Sequence, residues 1–290
     1  MTTSTTGHAA AVERLLGRRP SRVQPVTGGD ICMASRAHLP DGTSVLVKTR
    51  PGAPEDFFAA EARGLRWLGA ADAVPVPAVL GVDAETLVLE WVDEAAPTAP
   101  AALSLGRGLA ALHRTGADRF GSPTAGYVGT LPTPSGEFDR WPEFFAVTQL
   151  EPTLRLARDR GALDAAQAQP VEQVLSRLED LAGAPEPPAR LHGDLWSGNV
   201  LWGSGDRPWL IDPAAHGGHR ETDLAMLALF GAPGLETVRT AYEEVWPLAD
   251  GWRARVPLHQ LHPLLVHAAL FGGGYGARAA QAAREALRAG

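Results

Sequence analysis

Apolar and polar positions alternate in short runs through the first third of the chain. Residues 22–26, 31–39 and 44–49 have the composition of strands, and residues 40–42 form a turn signal between the second and third runs. Two such runs around a tight turn predict a β-hairpin. We therefore expect this part of the chain to begin as an antiparallel sheet.

A helical pattern follows the hairpin. Residues 54–69 start with a proline and two acids and end at a glycine, which is typical of a helix. Residues 74–82 and 86–92 then return to the composition of strands. We expect residues 11–92 to form a small lobe, an antiparallel sheet that carries one helix, and residues 1–10 to be a short flexible lead-in.

Leucines and other apolar residues repeat at helical spacing through the rest of the chain. The predicted helices cover residues 103–116, 164–183, 221–231, 235–246, 258–272 and 277–290. Asp164 is the expected N-cap of the second of them, and the Pro/Ala-rich residues 94–102 are a candidate linker. The pattern predicts a bilobal α+β protein, in which residues 93–290 form the larger and mainly helical lobe.

Composition and charge narrow the class of protein. The chain has 290 residues, of which 45% are hydrophobic, and no run approaches the roughly 18 to 20 apolar residues of a membrane span. The net charge is −7 and the basic residues are scattered, so neither a membrane nor a nucleic acid is the expected partner. Cys32 is the single cysteine, which excludes an internal disulfide, and the polar start of the chain lacks a secretory signal. We therefore expect a cytoplasmic protein.

Lys48 is the only lysine among 26 basic residues. Because a planar guanidinium cannot always replace a compact ammonium, the lysine that remains indicates a specific chemical role. Glu61 lies on the following predicted helix at helical spacing from Leu65 and Leu68, so its carboxylate shares an apolar face and needs a cation. A Lys48–Glu61 ion pair is the arrangement that holds nucleotide phosphates in kinases. The alternative is two ordinary solvated charges.

The strongest chemical signal lies in residues 191–202, LHGDLWSGNVLW. Asp194 is followed five positions later by Asn199, and Asp212 stands after the next apolar run. The H-x-D-x-x-x-x-N spacing is that of a kinase catalytic loop, in which one carboxylate takes a hydroxyl proton and two further oxygens bind Mg²⁺. Asp194 is the candidate base, and Asn199 and Asp212 are the candidate Mg²⁺ ligands. The alternative is a capping aspartate and two turn residues.

Two further motifs carry weaker signals. Gly28, Gly29 and Asp30 stand in a turn between two strands, where backbone N–H groups would face nucleotide phosphates, although a plain β-turn has the same composition. A Walker A loop is excluded because the residue directly before the only lysine is Val47 rather than glycine. The HxxH pairs at residues 216–219 and 259–262 lack cysteine and an evident acidic partner, which favours capping or packing over zinc binding.

Residues 192–199, HGDLWSGN, resemble a motif of the fructosamine kinases (ketosamine 3-kinases), relatives of the aminoglycoside and choline phosphotransferases. Other segments resemble the same family: residues 57–68, 120–146, 219–231 and 270–276. The resemblance runs from about residue 8 to the C-terminus and implies a protein-kinase-like fold.

The resemblance also implies an activity. The family transfers the γ-phosphate of ATP to the 3-hydroxyl of a sugar joined to an amine by a ketoamine link, and the unstable product releases the amine. Matched to this sequence, the family's residues would be Asp194 as base, Asn199 and Asp212 as Mg²⁺ ligands, Lys48 as phosphate anchor and Glu61 as the residue that orients it. The substrate would be a small ketosamine or a glycated protein amine. The sugar and the oligomeric state, monomer or homodimer, stay open.

The resemblance extends to the two ends of the site. Backbone groups of Glu90 and Val92 would meet the adenine of ATP. Trp196, in the catalytic loop, and His267 are candidates for the sugar pocket, and packing is the alternative for each. Eukaryotic relatives often carry a redox-active cysteine in the glycine-rich loop, but Cys32 lies two residues beyond that position, so a buried inert thiol is expected.

Two other functions fit the same motifs. One is a kinase of the same fold with another hydroxyl substrate, such as an aminoglycoside, choline, homoserine or methylthioribose. A choline pocket would need an aromatic cage, and an aminoglycoside pocket many acidic groups. The other is a catalytically silent nucleotide-binding scaffold, which the presence of all the polar residues of a kinase site disfavours.

Overall fold

The computed structural model describes residues 2–26 and 31–289, and its N-terminal lobe is built on a five-stranded antiparallel sheet. The strands are β1 (Arg22–Pro25), β2 (Met33–His38), β3 (Ser44–Thr49), β4 (Val79–Val82) and β5 (Thr86–Glu90), in the order β1-β2-β3-β5-β4. β2 and β3 pair from Met33 opposite Thr49 to His38 opposite Ser44, which confirms the predicted hairpin. The strands predicted within residues 74–82 and 86–92 are confirmed as β4 and β5.

The predicted helix of this lobe is α2 (Phe57–Gly69), which packs on the sheet. It begins later than predicted because residues 54–56 form the turn before it. Its buried side chains recur at helical spacing and pack with Leu87 and Leu89 of β5: Phe57, Phe58, Ala62 and Leu65. This packing fixes the position of α2, and therefore of Glu61, relative to the sheet.

A helix, α1 (Thr2–Leu16), precedes the sheet and corrects the expectation of a flexible lead-in over residues 1–10. His8 is 2% exposed, and its ring nitrogens lie 2.7 Å from Ser35 Oγ and 2.6 Å from Thr49 Oγ1. Apolar residues in the second half of α1 are buried against the sheet. The polar start of the chain concealed this helix, because the side chains that anchor it to the sheet come later in the sequence.

Helices make up most of the C-terminal lobe, as predicted. They are α3 (Ala99–Arg114), α4 (Trp141–Phe144), α5 (Glu151–Asp159), α6 (Ala165–Ser176), α7 (Leu178–Leu181), α8 (Glu221–Phe230), α9 (Leu235–Val245), α10 (Trp252–His259), α11 (Leu261–Phe271) and α12 (Tyr275–Ala289). A π-helical turn (Phe145–Leu150) joins α4 to α5. Within the described part of the chain, no helix has both the length and the apolar composition needed to cross a membrane.

Two predicted helices are split. Residues 164–183 form α6 and α7, which meet at Arg177, and residues 258–272 belong to α10 and α11, which meet at Gln260. Pro263 lies just after the second break and has no N–H to donate to the preceding turn, which favours a new helix start there. Nothing in the structure explains the break at Arg177.

Side-chain caps set the start of two helices. Asp164 Oδ1 accepts a hydrogen bond from Gln167 N at 2.8 Å, which confirms the predicted N-cap of α6. Thr98 Oγ1 accepts from Ala101 N at 3.1 Å, so α3 begins inside residues 94–102, where a linker was a candidate.

Short strands frame the catalytic loop of the sequence analysis. They are β6 (Phe120–Ser122), β7 (Gly126–Val128), β8 (Leu131–Thr133), β9 (Gly136–Phe138), β10 (Ala189–Leu191), β11 (Val200–Gly203), β12 (Arg207–Leu210) and β13 (His216–Gly218). β10, β13, β6 and β9 form one sheet, and β11 with β12 and β7 with β8 form two hairpins. Residues 192–199 connect β10 to β11, and Asp212 lies between β12 and β13. Strands of these sheets therefore bound both the catalytic loop and the segment that carries Asp212.

The helices α3 and α9 approach each other closely. A Cβ added to Gly106 of α3 would lie 2.1 Å from the carbonyl oxygen of Val238 in α9. Leu105, Leu109 and Tyr242 are fully buried around this contact. Glycine is therefore required at this position, since a larger residue would separate the two helices.

We expect Gly106→Ala to destabilise the protein by about 2–3 kcal/mol, because the added Cβ must push α9 away from α3. Gly7→Ala is the matched control: nothing lies within 4 Å of a Cβ added to this residue of α1, so the change should be neutral or stabilising by up to about 1 kcal/mol. Chemical denaturation measures both effects. Equal midpoints for the two variants would contradict the close packing.

Candidate active site

The two lobes enclose a cavity of about 1390 Å³. The N-terminal lobe contributes Lys48 and Glu61 to its lining, and the C-terminal lobe contributes Asp194, Asn199 and Asp212. The polar residues that the sequence analysis singled out are far apart along the chain, and the fold brings them to this one cavity.

Lys48 binds two carboxylates. Its Nζ donates to Glu61 Oε1 at 2.7 Å and to Asp212 Oδ1 at 2.9 Å, and the residue is 6% exposed. Burial by itself would lower the pKa of Lys48, but the charges of Asp212 and Glu61 outweigh it and raise the pKa, so the ammonium stays charged. The predicted Lys48–Glu61 ion pair is confirmed, and the alternative of two solvated charges is excluded.

Regular secondary structure fixes both ends of this ion pair. Lys48 lies on β3, between Ala34 of β2 and Leu87 of β5, so its backbone is held from both sides. Glu61 lies on α2, and its side chain is 12% exposed. Burial raises the pKa of Glu61, and the Lys48 ammonium opposes that effect. The largely buried Glu61 carboxylate is therefore held by a cation whose backbone is paired on both sides.

Asp194 and Asn199 are joined within the catalytic loop. Asn199 Nδ2 donates to the backbone oxygen of Asp194 at 2.8 Å and to its Oδ2 at 3.2 Å. Burial raises the pKa of Asp194 to about 7, and the nearby Asp212 carboxylate adds to the effect. The amide of Asn199 thus fixes the carboxylate while one of its oxygens stays free of that bond.

Asp212 adopts a left-handed backbone conformation, with φ at +53°. A non-glycine residue rarely takes this conformation, and where it does the surrounding structure must enforce it. Here the Lys48 ammonium binds Asp212 Oδ1, and the side chain is still 44% exposed towards the cavity. The strained turn therefore aims a carboxylate into the cavity beside the buried lysine.

The free oxygens of Asn199 and Asp212 suit a divalent cation. Among the described residues, neither Asn199 Oδ1 nor Asp212 Oδ2 has a hydrogen-bond partner, while the other polar atom of each side chain is engaged. An amide oxygen and a carboxylate oxygen are the hard donors that Mg²⁺ prefers. The donor set fits the Mg²⁺ site expected from the sequence.

A buried carboxylate that the sequence analysis missed holds the catalytic loop. Asp223 of α8 is fully buried, and it accepts hydrogen bonds from the backbone N–H of His192 at 2.8 Å and of Gly193 at 3.0 Å. His113 Nε2 lies 3.2 Å from Asp223 Oδ2, and His113 Nδ1 lies 2.9 Å from the hydroxyl of Tyr242. Burial opposes ionisation, but these donors lower the pKa of Asp223. The only signal in the sequence was an aspartate inside an apolar helical run.

His192 connects the loop to the segment that carries Asp212. Its Nε2 donates to the carbonyl of Ile211 at 2.8 Å, and its Nδ1 accepts from the backbone N–H of Asp194 at 3.3 Å. Burial lowers the pKa of His192, so the ring is neutral and its two nitrogens take these opposite roles. One imidazole therefore links the backbone of Asp194 to that of Ile211, the residue before Asp212.

Aromatic rings form a wall of the cavity. The ring centroids of Trp196 and Phe230 are 6.3 Å apart, and those of Phe230 and His267 are 4.8 Å apart. His267 also packs with Phe271 at 5.6 Å and Tyr275 at 5.1 Å. The structure thus brings the two predicted sugar-pocket residues to one wall, with Phe230 between them. We call these five residues the aromatic wall.

The predicted nucleotide end of the cavity is only partly described. Glu90 and Val92 line the cavity where β5 leaves the sheet. The predicted glycine turn at residues 28–30 lies outside the described residues. Cys32 also lines the cavity, and burial raises the pKa of its thiol to about 11, which is the opposite of an activated cysteine.

One histidine of each HxxH pair, His216 or His262, lines the cavity. The other two, His219 and His259, are buried away from it. The ligand atoms of these two and of Glu221 lie within 4.8 Å of one another. Arg255, however, donates to both carboxylate oxygens of Glu221, at 2.9 and 2.6 Å. The carboxylate already has its cation, so this cluster is an ion-paired part of the core.

The sheet lobe carries a buried Lys–Glu ion pair, and the helical lobe carries two aspartates and an asparagine that face the same cavity. This is the arrangement of the protein-kinase-like phosphotransferases. The comparisons with known proteins then specify the family. The model of the fructosamine kinase family matches residues 5–289, and the chain belongs to this family.

Three relatives illustrate the similarity. A protein of Enterococcus faecium named "probable ketoamine kinase" is 35% identical over 266 residues, which cover 90% of this chain and 93% of the relative. The chloroplastic protein-ribulosamine 3-kinase of Arabidopsis thaliana is 32% identical over 88% of this chain and 79% of its own. A crystal structure from Thermobifida fusca, described as a "putative fructosamine-3-kinase", is 53% identical with a TM-score of 0.92, covering 97% of this chain and 98% of that one.

We expect Asp223→Asn to destabilise the protein by about 3–5 kcal/mol, because an amide keeps one acceptor oxygen and turns an N–H₂ group towards buried donors. Asp159→Asn is the matched control, since Asp159 is exposed at the end of α5 and its change should stay within about 0.5 kcal/mol. Denaturation midpoints measure both. If Asp223→Asn were as stable as the control, the proposed support of the loop would be contradicted.

Proposed function

We propose that the protein phosphorylates the 3-hydroxyl of ketosamines with ATP as the phosphoryl donor. The observation that carries the proposal is the position of Asp194, a partly buried carboxylate that shares one cavity with the Asn199 and Asp212 oxygens and with the aromatic wall. The names of the family and of its relatives direct the proposal to ketosamines. The phosphorylated sugar would then release its amine, which gives the enzyme a deglycation role.

Asp194 would act as the general base. Because Asn199 Nδ2 binds Asp194 Oδ2, Oδ1 is the atom that would accept the proton of the sugar hydroxyl. Burial and the charge of Asp212 raise the pKa of Asp194 to about 7. A base whose pKa lies near the working pH transfers protons most effectively.

The N-terminal lobe would bind the donor. Lys48 would hold the phosphates of ATP, and Glu61 would keep the ammonium in place. Backbone groups of Glu90 and Val92 would contact the adenine, as the sequence analysis expects. Asn199 and Asp212 would hold Mg²⁺, which when bound neutralises charge on the transferred phosphoryl group.

The aromatic wall suits the apolar face of a sugar better than a quaternary ammonium. Trp196 is 39% exposed and offers its ring to the cavity. The guanidinium carbon of Arg278 lies 5.8 Å from the ring centroid of Phe230 and 5.4 Å from that of Tyr275. Because a cation of the protein already lies over these two rings, they are poorly available as a cage for choline.

A panel of acceptors tests the proposal. ATP consumption would be measured with Mg²⁺ and ribulosyl-lysine, fructosyl-lysine, choline or kanamycin. Turnover confined to the ketosamines supports the assignment. Turnover only with choline or kanamycin would move the substrate to another class within the same fold, and ATP binding without any turnover would indicate a nucleotide-binding scaffold.

We expect Asp194→Asn to lower kcat with a ketosamine by about 10²- to 10⁴-fold, because the amide cannot accept the hydroxyl proton. ATP affinity, measured by direct titration, should change little, since the base acts on the acceptor. Asp159→Asn makes the same chemical change on the surface and should keep wild-type turnover. Full turnover in Asp194→Asn would rule out this base.

We expect Lys48→Arg to lose most turnover although it keeps the charge. The ammonium donates to two carboxylates at 2.7 and 2.9 Å in a buried position, and a planar fork has a different shape and length. Steady-state kinetics together with an ATP titration would measure the loss. Wild-type kinetics in the Lys48→Arg enzyme would show that the scarcity of lysine has no functional meaning.

A further inference from the structure

One corner of the cavity is polar and takes no part in the chemistry described so far. It consists of Gln149, His216 and His262, which come from the π-helical turn, β13 and α11 and all line the cavity. Gln149 and His262 are each 8% exposed. We call these three side chains the polar corner. Buried polar groups are normally satisfied, so the hydrogen bonds of each one matter.

A chain of hydrogen bonds orients the Gln149 amide. His216 Nδ1 donates to the carbonyl of Ala214 at 2.8 Å, so its Nε2 carries a lone pair. Gln149 Nε2 lies 3.3 Å from that nitrogen and donates to it. The opposite orientation of the amide would place two acceptors against each other. Gln149 Oε1 is therefore left over, and among the described residues it has no hydrogen-bond partner.

His262 also has unused hydrogen-bonding groups. Within the described ranges, neither nitrogen of its ring has a hydrogen-bond partner. Burial lowers the pKa of His262 to about 3, and His216 adds to the effect, so the ring is neutral. A neutral imidazole offers one N–H and one lone pair.

The polar corner adjoins the candidate base. A small side cavity of about 10 Å³ is lined by Gly193, Asp194, His262 and His267 among others. This is about the volume that one water molecule needs. A ligand group that reaches His262 is therefore a close neighbour of a group that reaches Asp194.

The chemistry of the corner selects a hydroxyl group. A charged ligand would find no opposite charge on Gln149 or His262, and an apolar ligand would leave their groups unsatisfied. A hydroxyl both donates and accepts hydrogen bonds, so it matches the free acceptor Gln149 Oε1 and the free N–H of His262, which both lie near His216. This match uses the free oxygen of Gln149 and the N–H of His262.

We propose that Gln149 and His262 form a subsite for the sugar hydroxyl next to the one that is phosphorylated, the 4-hydroxyl of a ketosamine. His216 is a positioning residue, which acts by fixing the amide of Gln149. The inference rests on the proposed function and adds to it the group that recognises the sugar.

The test compares ribulosyl-glycine with its 4-deoxy analogue as acceptors. The wild-type enzyme should prefer the full acceptor by about 10- to 100-fold in kcat/KM, because the deoxy sugar leaves buried groups unpaired. In His262→Phe and in Gln149→Met, which remove the polar atoms at similar volume, this preference should fall to about threefold or less. The KM for ATP should stay at its wild-type value in both.

A second comparison tests the positioning role. His216→Phe removes the acceptor that orients the amide, so it should reduce the preference for the 4-hydroxyl while the KM for ATP is unchanged. His38→Phe is the control, since His38 lies on β2, outside the cavity lining, and should keep the full preference. Thermal unfolding establishes that each variant is folded.

The outcomes separate the two claims. If the wild-type enzyme phosphorylates no ketosamine, the proposed function fails and the subsite fails with it. If ketosamines are substrates but the wild-type enzyme does not distinguish the 4-deoxy analogue, only the subsite is overturned. The same holds if folded His262→Phe and Gln149→Met keep the wild-type preference. Should His262→Phe not fold, the result for Gln149→Met decides.

Discussion

A buried ammonium is stable only when carboxylates surround it, and the site depends on this constraint at Lys48. The lysine takes one carboxylate from α2 of its own lobe and the other from Asp212 of the helical lobe. Burial penalises the Lys48 ammonium, and the charges of the two carboxylates offset that penalty. The Lys48 contacts therefore join a strand, a helix and a strained turn, and they connect the two lobes of the protein across the cavity.

The helical lobe is organised by a second buried charge. Asp223 binds the backbone of the catalytic loop, and its remaining contact, His113, is itself held by Tyr242. His113 lies on α3 and Tyr242 on α9, the two helices whose close approach requires Gly106. The packing of two helices is thus transmitted through one carboxylate to the loop that carries Asp194.

The sequence was sufficient for features that depend on local spacing. The H-x-D-x-x-x-x-N spacing, the isolated Lys48 and the apolar face around Glu61 gave the polar residues of the cavity, and helical periodicity gave most helices. The helix at Thr2–Leu16 was missed because its anchors, such as His8, bind residues of later strands. The strands within residues 120–138 were missed because each has only three residues.

Features that depend on tertiary contact could not be predicted from spacing. Asp223 looks like any polar residue of a helix until the fold places the loop against it. Gln149 and His262 come together only because the π-helical turn and α11 line the same cavity. Two histidines of the HxxH motifs likewise take partners from outside their own motif: Gln149 Nε2 lies 3.3 Å from His216 Nε2, and Thr222 Oγ1 lies 3.0 Å from His259 Nδ1.

The proposed function depends on Asp194 as the base that directs phosphoryl transfer to the 3-hydroxyl of a ketosamine. The most direct measurement is NMR of the product formed from ribulosyl-glycine and ATP, with phosphorus-to-proton correlation to locate the phosphate. The account predicts a phosphate on oxygen 3, followed by the appearance of free glycine as the product decomposes. A phosphate on any other oxygen, with the glycine still attached, would contradict it.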